Sequence, residues 1–236
     1  MSGEDYQGFS INASLLALVL CLLFWIAKSV AAETMSPAEL EEWFQQDEVS
    51  SPAEAINEGE LRFLIEPPAK PALHSLNVLT VYPTSLDDGW IALSQCYQNL
   101  DPVMESEVIY RYKSMRDLNI VKFKNIGEVQ IVGQSIQLTD VRKAAELCVS
   151  AMVRIFYLNP DGSYSLVNGP FHRRFLDGYF PYQLTMEVDY PVEMLRVKQT
   201  TPAAQPGFRV EVESGRVVMK GIFEGILNIE IVFQTR

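Results

Sequence analysis

Residues 145–191 read AELCVSAMVRIFYLNPDGSYSLVNGPFHRRFLDGYFPYQLTMEVDYP, and their pattern defines the expected architecture. In residues 145–155, large apolar side chains alternate with smaller or more polar ones, as expected for a strand with one buried face. The sequence NPDG at 159–162 then places four turn-forming residues in a row. The segment therefore predicts a long strand, a tight turn, an aromatic-rich return and a second long strand.

Short strand-like stretches separated by turn residues fill most of the chain on either side of this segment. The predicted strands are residues 61–65, 76–82, 90–97, 107–113, 119–123, 128–132, 135–138, 195–199, 208–213, 216–220 and 227–234, with one helical turn at 140–145. Turn signals recur roughly every 8–12 residues, and strands do not alternate with long helices. We therefore expect an all-β fold in residues 73–236, an antiparallel two-sheet sandwich of the immunoglobulin-like or jelly-roll-like kind.

Composition narrows the classes of partner. The 236 residues include 30 acidic and 19 basic side chains, so the formal net charge is −11. A charge of this sign disfavours binding to a nucleic-acid backbone or to an anionic membrane surface. We therefore expect no nucleic-acid partner, and membrane contact only through residues 11–27 if that segment is retained.

The N-terminus has the pattern of an export signal. Residues 11–27 are almost all apolar, but their core at 15–26 is shorter than the roughly 20 residues of a comfortable bilayer span. Small residues follow at the positions that signal peptidase requires for cleavage after Ala31 or Ala32. No Lys or Arg precedes the apolar segment, which is unusual for an export signal. Residues 1–32 are therefore expected to be a signal peptide or a membrane anchor, with the chain in the periplasm or on the inner membrane facing the periplasm.

Residues 33–72 are expected to form an acidic, helical and Pro-rich lead-in. The sequence SPAE occurs at 36–39 and again at 51–54, and each copy has the arrangement of a capping box with Pro at the first helical position. Such short helices are marginal alone, so the apolar side chains of Trp43 and Phe44 must dock on another surface. They either bind a partner or pack on the protein's own sandwich.

The cysteines suggest a disulfide. Of the three, Cys21 lies in the export segment, which leaves Cys96 and Cys148 in the mature chain. An even pair in an exported protein usually joins. The bridge would link the strand that begins at Trp90 to the strand that holds Cys148, as the inter-sheet bridge does in immunoglobulin-like sandwiches. The alternative is two buried free thiols, as in a cytoplasmic protein.

Motifs for metal binding and nucleophilic catalysis are lacking. The two histidines, His74 and His172, are far apart in sequence, and neither belongs to an HxH or HExxH motif. No Gly-x-Ser-x-Gly elbow is present, so we predict no catalytic residue, no metal and no cofactor. Asp87 and Asp88 before Gly89-Trp90 form either a carboxylate pair beside an aromatic, as in sugar-cleaving sites, or the capping residues of a turn.

The densest cluster of chemically versatile residues is FHRRFLDGYFPY at 171–182, a net-positive island in an acidic chain. The candidate binding residues are His172, Arg173, Arg174, Tyr179 and Tyr182. Arginine and tyrosine together suit a ligand that carries a carboxylate or phosphate, and they are also typical anchors of protein interfaces. The structural alternative is an internal ion pair between an arginine and Asp177 or Asp189, with the aromatic rings in the core.

From these observations we expect an exported cell-envelope protein that acts as a non-enzymatic binding or assembly module, with another envelope protein as its partner. Two alternatives remain. One is an envelope hydrolase that acts on carbohydrate or peptide through carboxylates. The other is a single-span subunit of a membrane complex, which requires residues 1–32 to be retained.

Overall fold

The computed structural model describes residues 57–176 and 178–236, and in this part of the chain the protein is nearly all β. Strands take up 66% of these residues and helices 2%. The all-β prediction is confirmed. The predictions of the export segment, its cleavage site and the two SPAE helices fall on residues 1–56, which lie outside the described residues.

Fifteen strands and one short helix are present in the described ranges. In chain order they are β1 (Arg62–Phe63), β2 (Leu73–Thr80), α1 (Ser85–Asp88), β3 (Trp90–Leu100), β4 (Glu105–Ile109), β5 (Met115–Val132), β6 (Ser135–Arg154), β7 (Phe156–Leu158), β8 (Tyr164–Phe171), β9 (Arg174–Phe175), β10 (Gly178–Tyr179), β11 (Tyr182–Asp189), β12 (Leu195–Thr201), β13 (Phe208–Glu213), β14 (Arg216–Glu224) and β15 (Leu227–Thr235).

The strands form two main sheets and a small hairpin. The nine-stranded sheet has the order β1-β14-β11-β2-β3-β6-β4, with β13 also paired to β14 and β5 also paired to β6. The four-stranded sheet has the order β12-β15-β8-β7, and β9 pairs with β10. All pairings are antiparallel except that of β11 with β2, which run parallel. The expected antiparallel arrangement therefore holds apart from this one pair.

The two main sheets pack against each other through their apolar faces. Along β15, the predicted alternation is observed, since Leu227, Ile229, Ile231 and Phe233 are all fully buried. The ring of Phe233 lies 5.1 Å from that of Tyr190, which follows β11 in the other sheet. Burying alternate side chains of both sheets in one shared core is the main source of stability in such a fold.

The long β5–β6 hairpin differs from the prediction. The separate strands expected at 119–123 and 128–132 are parts of β5, and the helical turn expected at 140–145 is wrong because these residues lie in β6. Positive φ angles at Asp140 and Ala144 and register shifts in β5 bend the ladder there. Arginine, lysine and alanine between the bends favour a helix, but pairing with β5 resumes on both sides, at Val141 and at Glu146.

A disulfide joins Cys96 to Cys148, with 4.0 Å between their Cα atoms. The two residues are direct partners in the antiparallel ladder between β3 and β6. The bridge therefore links the two predicted strands, but the inter-sheet arrangement is wrong: both strands belong to the same sheet. Close approach of directly opposed residues in an antiparallel pair makes such a bridge possible.

Candidate functional site

A cleft of about 330 Å³ opens between the inner face of the nine-stranded sheet and the end of β8. Leu73, Gln95 and Tyr182 contribute from β2, β3 and β11. β4 and the three residues after it form a second side, and residues 168–174 form a third. Strand pairing thus brings together segments that are far apart in sequence.

A row of buried polar side chains crosses the inner face of the sheet and ends at this cleft. Asn77 Nδ2 donates a hydrogen bond to Ser75 Oγ at 2.6 Å, and Gln95 Nε2 donates to Asn77 Oδ1 at 2.5 Å. The pairing of β2 with β3 places Asn77 directly opposite Gln95. Ser75 and Asn77 are fully buried and Gln95 is 3% exposed, so this polar row is part of the core.

Three buried polar atoms around the cleft have no hydrogen-bond partner among the described residues. They are Gln95 Oε1, Tyr110 Oη and His172 Nδ1, and all three residues line the cleft. The Tyr110 hydroxyl is near enough to that of Tyr97 for each to shift the other's pKa, but the pair does not reach hydrogen-bond geometry. Because buried polar groups are nearly always paired, these atoms mark a place where a bound molecule can supply the partners.

Four tyrosines give the cleft its aromatic lining: Tyr97, Tyr110, Tyr112 and Tyr182. Burial raises the pKa of all four phenols, that of Tyr182 to about 12. They are therefore neutral near pH 7 and can donate a hydrogen bond. The Tyr112 hydroxyl already donates to Asn168 Oδ1 at 2.8 Å, which joins the second side of the cleft to β8.

One arginine of the cleft is neutralised internally. The Arg173 guanidinium donates from Nε and Nη2 to the two carboxylate oxygens of Asp101, at 2.9 and 2.5 Å, and from Nη1 to the carbonyl oxygen of Pro181 at 3.2 Å. This bidentate ion pair is of the kind expected in the structural alternative, but its acid is Asp101 and not Asp177 or Asp189. Asp189 instead accepts from Arg216, and Asp177 lies outside the described residues.

Two further arginines of the cleft, Arg111 and Arg174, are exposed and have no carboxylate partner in the described part of the chain. The guanidinium of Arg174 lies 5.9 Å from the ring centre of Tyr179. Glu107 also lines the cleft and is exposed. The cleft therefore carries three arginines against Asp101 and Glu107, an excess of positive charge in a strongly acidic chain.

The pKa of His172 responds to burial and to the charges around the cleft. Burial lowers the pKa of its imidazole, and the nearby guanidiniums of Arg111 and Arg174 lower it further. The ring packs edge-on against Tyr179, with 5.8 Å between the ring centres. At neutral pH the imidazole is therefore uncharged, and it can donate or accept a hydrogen bond according to its tautomer.

The structure brings most of the predicted binding residues together. His172, Arg173, Arg174 and Tyr182 line the cleft, whereas Tyr179 is not among the lining residues and instead contacts His172 and Arg174 from the β10 side. Their role in binding stays a prediction.

Sequence reasoning missed Gln95 and Asn168, which line the cleft from β3 and β8, and Asn77 of β2, which accepts a hydrogen bond from Gln95. A signal for Gln95 and Asn77 was present. In β3 the other inward positions are apolar or aromatic, and in β2 Asn77 shares its face with Leu79, so each polar residue stands out once the strand is known. Asn168 gave no such signal, because the strand that contains it is interrupted by Gly169 and Pro170.

Asp88, one member of the candidate carboxylate pair, has a structural role. Asp88 Oδ1 accepts a hydrogen bond from the backbone N–H of Trp90 at 2.9 Å, as expected for a residue that caps a turn. Within residues 57–176 and 178–236, no three side chains of His, Cys, Asp or Glu come close enough to hold a metal ion.

A second groove, of about 560 Å³, lies beside β13 and β14 and includes Leu64, Ile65 and Phe208. The unpartnered buried side-chain atoms found in the described ranges all belong to residues of the first cleft and none to this groove. We therefore take the first cleft as the candidate site.

No protein-family model matches the chain, and a search of curated proteins finds no significant sequence match. None of the helices in the described part of the chain has the length and apolar character needed to cross a bilayer. The fold and the cleft define the class: an all-β protein with packed sheets and a polar, aromatic-lined cleft between them.

Proposed function

We propose that this chain is an exported cell-envelope protein whose sheets form a non-enzymatic binding module, with a small ligand in the cleft. The observation that carries the proposal is the convergence of three unpartnered buried polar atoms, from Gln95, Tyr110 and His172, on one cleft. Leaving such an atom unpaired costs about 1–3 kcal/mol, and a ligand that pairs with it removes that cost. The volume supports a small molecule, since pockets for such ligands start at about 300 Å³.

Export is supported by the apolar segment at residues 11–27, by the small residues at 29–32 that follow it and by the Cys96–Cys148 disulfide. Disulfides persist in oxidising compartments and are rare in the cytosol. Expression of the full gene in a bacterium, followed by fractionation and intact-mass measurement, tests this part. We expect loss of residues 1–31 or 1–32, or a full-length chain in the inner membrane with its disulfide formed. A full-length chain with freely alkylated thiols would contradict export.

The proposed sandwich type, immunoglobulin-like or jelly-roll-like, is supported by the two packed sheets, whereas the parallel β2–β11 pair departs from it. The hydrolase alternative has no specific support: Asp101 is bound to Arg173, and Asp88 caps a turn. The alternative of a single-span subunit depends on residues 1–32, which lie outside the described residues.

Ligand-observed NMR with a mixed set of small probes tests the binding function. The set contains anionic, neutral and cationic molecules: phenylacetate, octanoate, phenyl phosphate, phenol, octanamide and tyramine. The variant Ser106→Trp places an indole in the cleft, which Ser106 lines. Its matched control is Ser94→Trp, because Ser94 is exposed on β3 and faces away from Gln95.

We expect at least one probe to bind the wild-type protein and the Ser94→Trp variant, and to lose binding in Ser106→Trp. Binding that is insensitive to Ser106→Trp would place the probe elsewhere and contradict the proposal. Failure of every probe to bind would contradict it as well.

A further inference from the structure

We infer that the ligand of the cleft is a small organic oxyanion, whose carboxylate or phosphate is bound by Arg111 and Arg174 and whose opposite end donates a hydrogen bond to Gln95. This inference rests on the proposed binding function and specifies the class of ligand.

The anionic end follows from the balance of charge. Arg173 is satisfied by Asp101, but Arg111 and Arg174 have no carboxylate partner among the described residues, although the chain carries an excess of acidic groups. A guanidinium offers several N–H donors in a planar arrangement that matches a carboxylate or a phosphate. Two such groups at one cleft are suited to an oxyanion.

The position of His172 supports binding of the oxyanion at the end of the cleft where Arg111 and Arg174 lie. Its pKa is lowered by both Arg111 and Arg174, so both guanidiniums act on the same point. The imidazole is neutral at pH 7 and its Nδ1 is unpartnered. The imidazole can therefore hydrogen-bond an oxyanion or its neighbouring group without adding a charge of its own.

The body of the ligand must be compact and largely apolar. The lining includes four tyrosines together with Leu73, Leu100, Val108 and Phe171. A cavity of about 150 Å³ is enough to bind benzene, and the cleft has roughly twice that volume, about 330 Å³. One aromatic ring or a short alkyl chain with a polar group at each end fits these limits.

The buried polar row of Ser75, Asn77 and Gln95 indicates that the other end of the ligand carries a hydrogen-bond donor. Gln95 Nε2 is used by Asn77, whose own Nδ2 is used by Ser75, so the row leaves Gln95 Oε1 as the unpaired acceptor. An acceptor needs a hydroxyl or N–H of the ligand. Gln95 is 3% exposed, so a ligand without a donor leaves this oxygen unpaired in the interior.

Isothermal titration calorimetry with matched probe pairs tests both ends. For the anionic end the pairs are 4-hydroxyphenylacetate with 4-hydroxyphenylacetamide, octanoate with octanamide, and phenyl phosphate with phenol. For the donor end the pair is 4-hydroxyphenylacetate with phenylacetate. Comparing carboxylate and phosphate probes distinguishes the two kinds of oxyanion.

We expect the anion of a pair to bind at least tenfold more tightly than its neutral partner. The variants Arg111→Gln and Arg174→Gln should each weaken binding of the anion about tenfold or more. Arg196→Gln is the matched control, since Arg196 is an exposed arginine of β12 outside the cleft. The advantage of the phenol hydroxyl should disappear in Gln95→Leu.

Three failures are distinguishable. If neutral or cationic probes bind as tightly as the anions, and if that binding is lost in Ser106→Trp, the cleft is a binding site but the oxyanion inference is wrong. If no probe of any charge binds, the inference and the proposed function both fail. If anions bind tightly but Gln95→Leu leaves the hydroxyl preference intact, the assignment of the buried end is wrong.

Discussion

Arg173 donates hydrogen bonds to both carboxylate oxygens of Asp101, although 72 residues separate the two in the chain. Arg173 follows β8 in the four-stranded sheet, and Asp101 follows β3 in the nine-stranded sheet. The pair therefore joins the two sheets at the cleft and holds one of its sides in place. It also removes one of the three arginine charges from the cleft.

Breaking this ion pair should lower the stability of the fold, and in one of two variants it should also strengthen anion binding. We expect Arg173→Gln and Asp101→Asn each to lower the free energy of unfolding by about 1–2 kcal/mol, because the partly buried partner loses a charge-assisted hydrogen bond. Asp101→Asn should also strengthen binding of the anionic probes, since it leaves Arg173 uncompensated. Urea denaturation and calorimetry measure the two effects. Equal stability of both variants and the wild type would show that the pair is only a surface contact.

The disulfide should stabilise the fold through the loop it closes. Since Cys96 and Cys148 are 52 positions apart, the chain-entropy argument assigns the disulfide about 4 kcal/mol, and measured values are often smaller. We expect reduction to lower the free energy of unfolding by about 2–4 kcal/mol. The double variant Cys96→Ser/Cys148→Ser is the control, and its stability should not respond to reductant. An oxidised and a reduced wild-type protein of equal stability would contradict this expectation.

The imidazole of His172 should titrate below the ordinary value of 6.5, because burial, Arg111 and Arg174 all lower its pKa. Since the folded-state pKa is lower than the unfolded-state value, the contribution to stability is present above pH 6.5 and is lost as the pH falls through the folded-state pKa. NMR titration of the untagged protein measures the shift, and His74→Gln assigns the resonance. Arg111→Gln and Arg174→Gln should each raise the pKa of His172; no change in either variant would contradict the charge arrangement described for the cleft.

The buried tyrosines predict a loss of stability in alkali. Burial raises the pKa of Tyr182 from 10.0 to about 12 and also raises those of Tyr97, Tyr110 and Tyr112. Because the folded-state values exceed the unfolded-state ones, this stability is present below pH 10 and is lost as the pH rises through about 12. Urea denaturation across this range, with phenolate absorbance, measures it. Tyr182→Phe should lose less stability over the same range than the wild type; an identical pH dependence would argue against a buried phenol there.

Substitutions at two glycines test how firmly the segment around Glu60 is held against the rest of the fold. A Cβ at Gly225 would come into contact with the Glu60 carbonyl oxygen, whereas a Cβ at Gly133 meets nothing within 4 Å; both residues have positive φ. Gly133→Ala should therefore cost only the backbone strain, about 1 kcal/mol. Gly225→Ala should cost more and should expose the Ile226 amide, which donates to Gly59, to hydrogen exchange. Similar effects of the two substitutions would show that the Glu60 segment moves aside freely.

Some features of the molecule could be predicted because they depend on neighbours in sequence. The alternation in β15, the turn residues at 159–162 and the bounds of β13 follow from local periodicity and turn chemistry. The pairing of Cys96 with Cys148 followed from counting, since only two cysteines remain beyond the apolar segment. The bent part of β6 could not be predicted, because its positive φ angles are stabilised by contacts with β5, such as the hydrogen bonds of Asn125 to two β6 carbonyls.

The candidate site also contains one part that the sequence predicts and another that it does not. The cluster at 171–182 stood out in the sequence because its basic and aromatic residues are adjacent, but its ion-pair partner, Asp101, could not be identified from spacing. Gln95 and Tyr110 join the site only because β3 and β4 both pair with β6. Local sequence was thus sufficient for the all-β class and for one side of the cleft, since alternation and turn chemistry act over a few residues. The cleft itself and its unpaired buried atoms depend on the long-range pairing of strands and the packing of the two sheets, which no short stretch of the chain encodes.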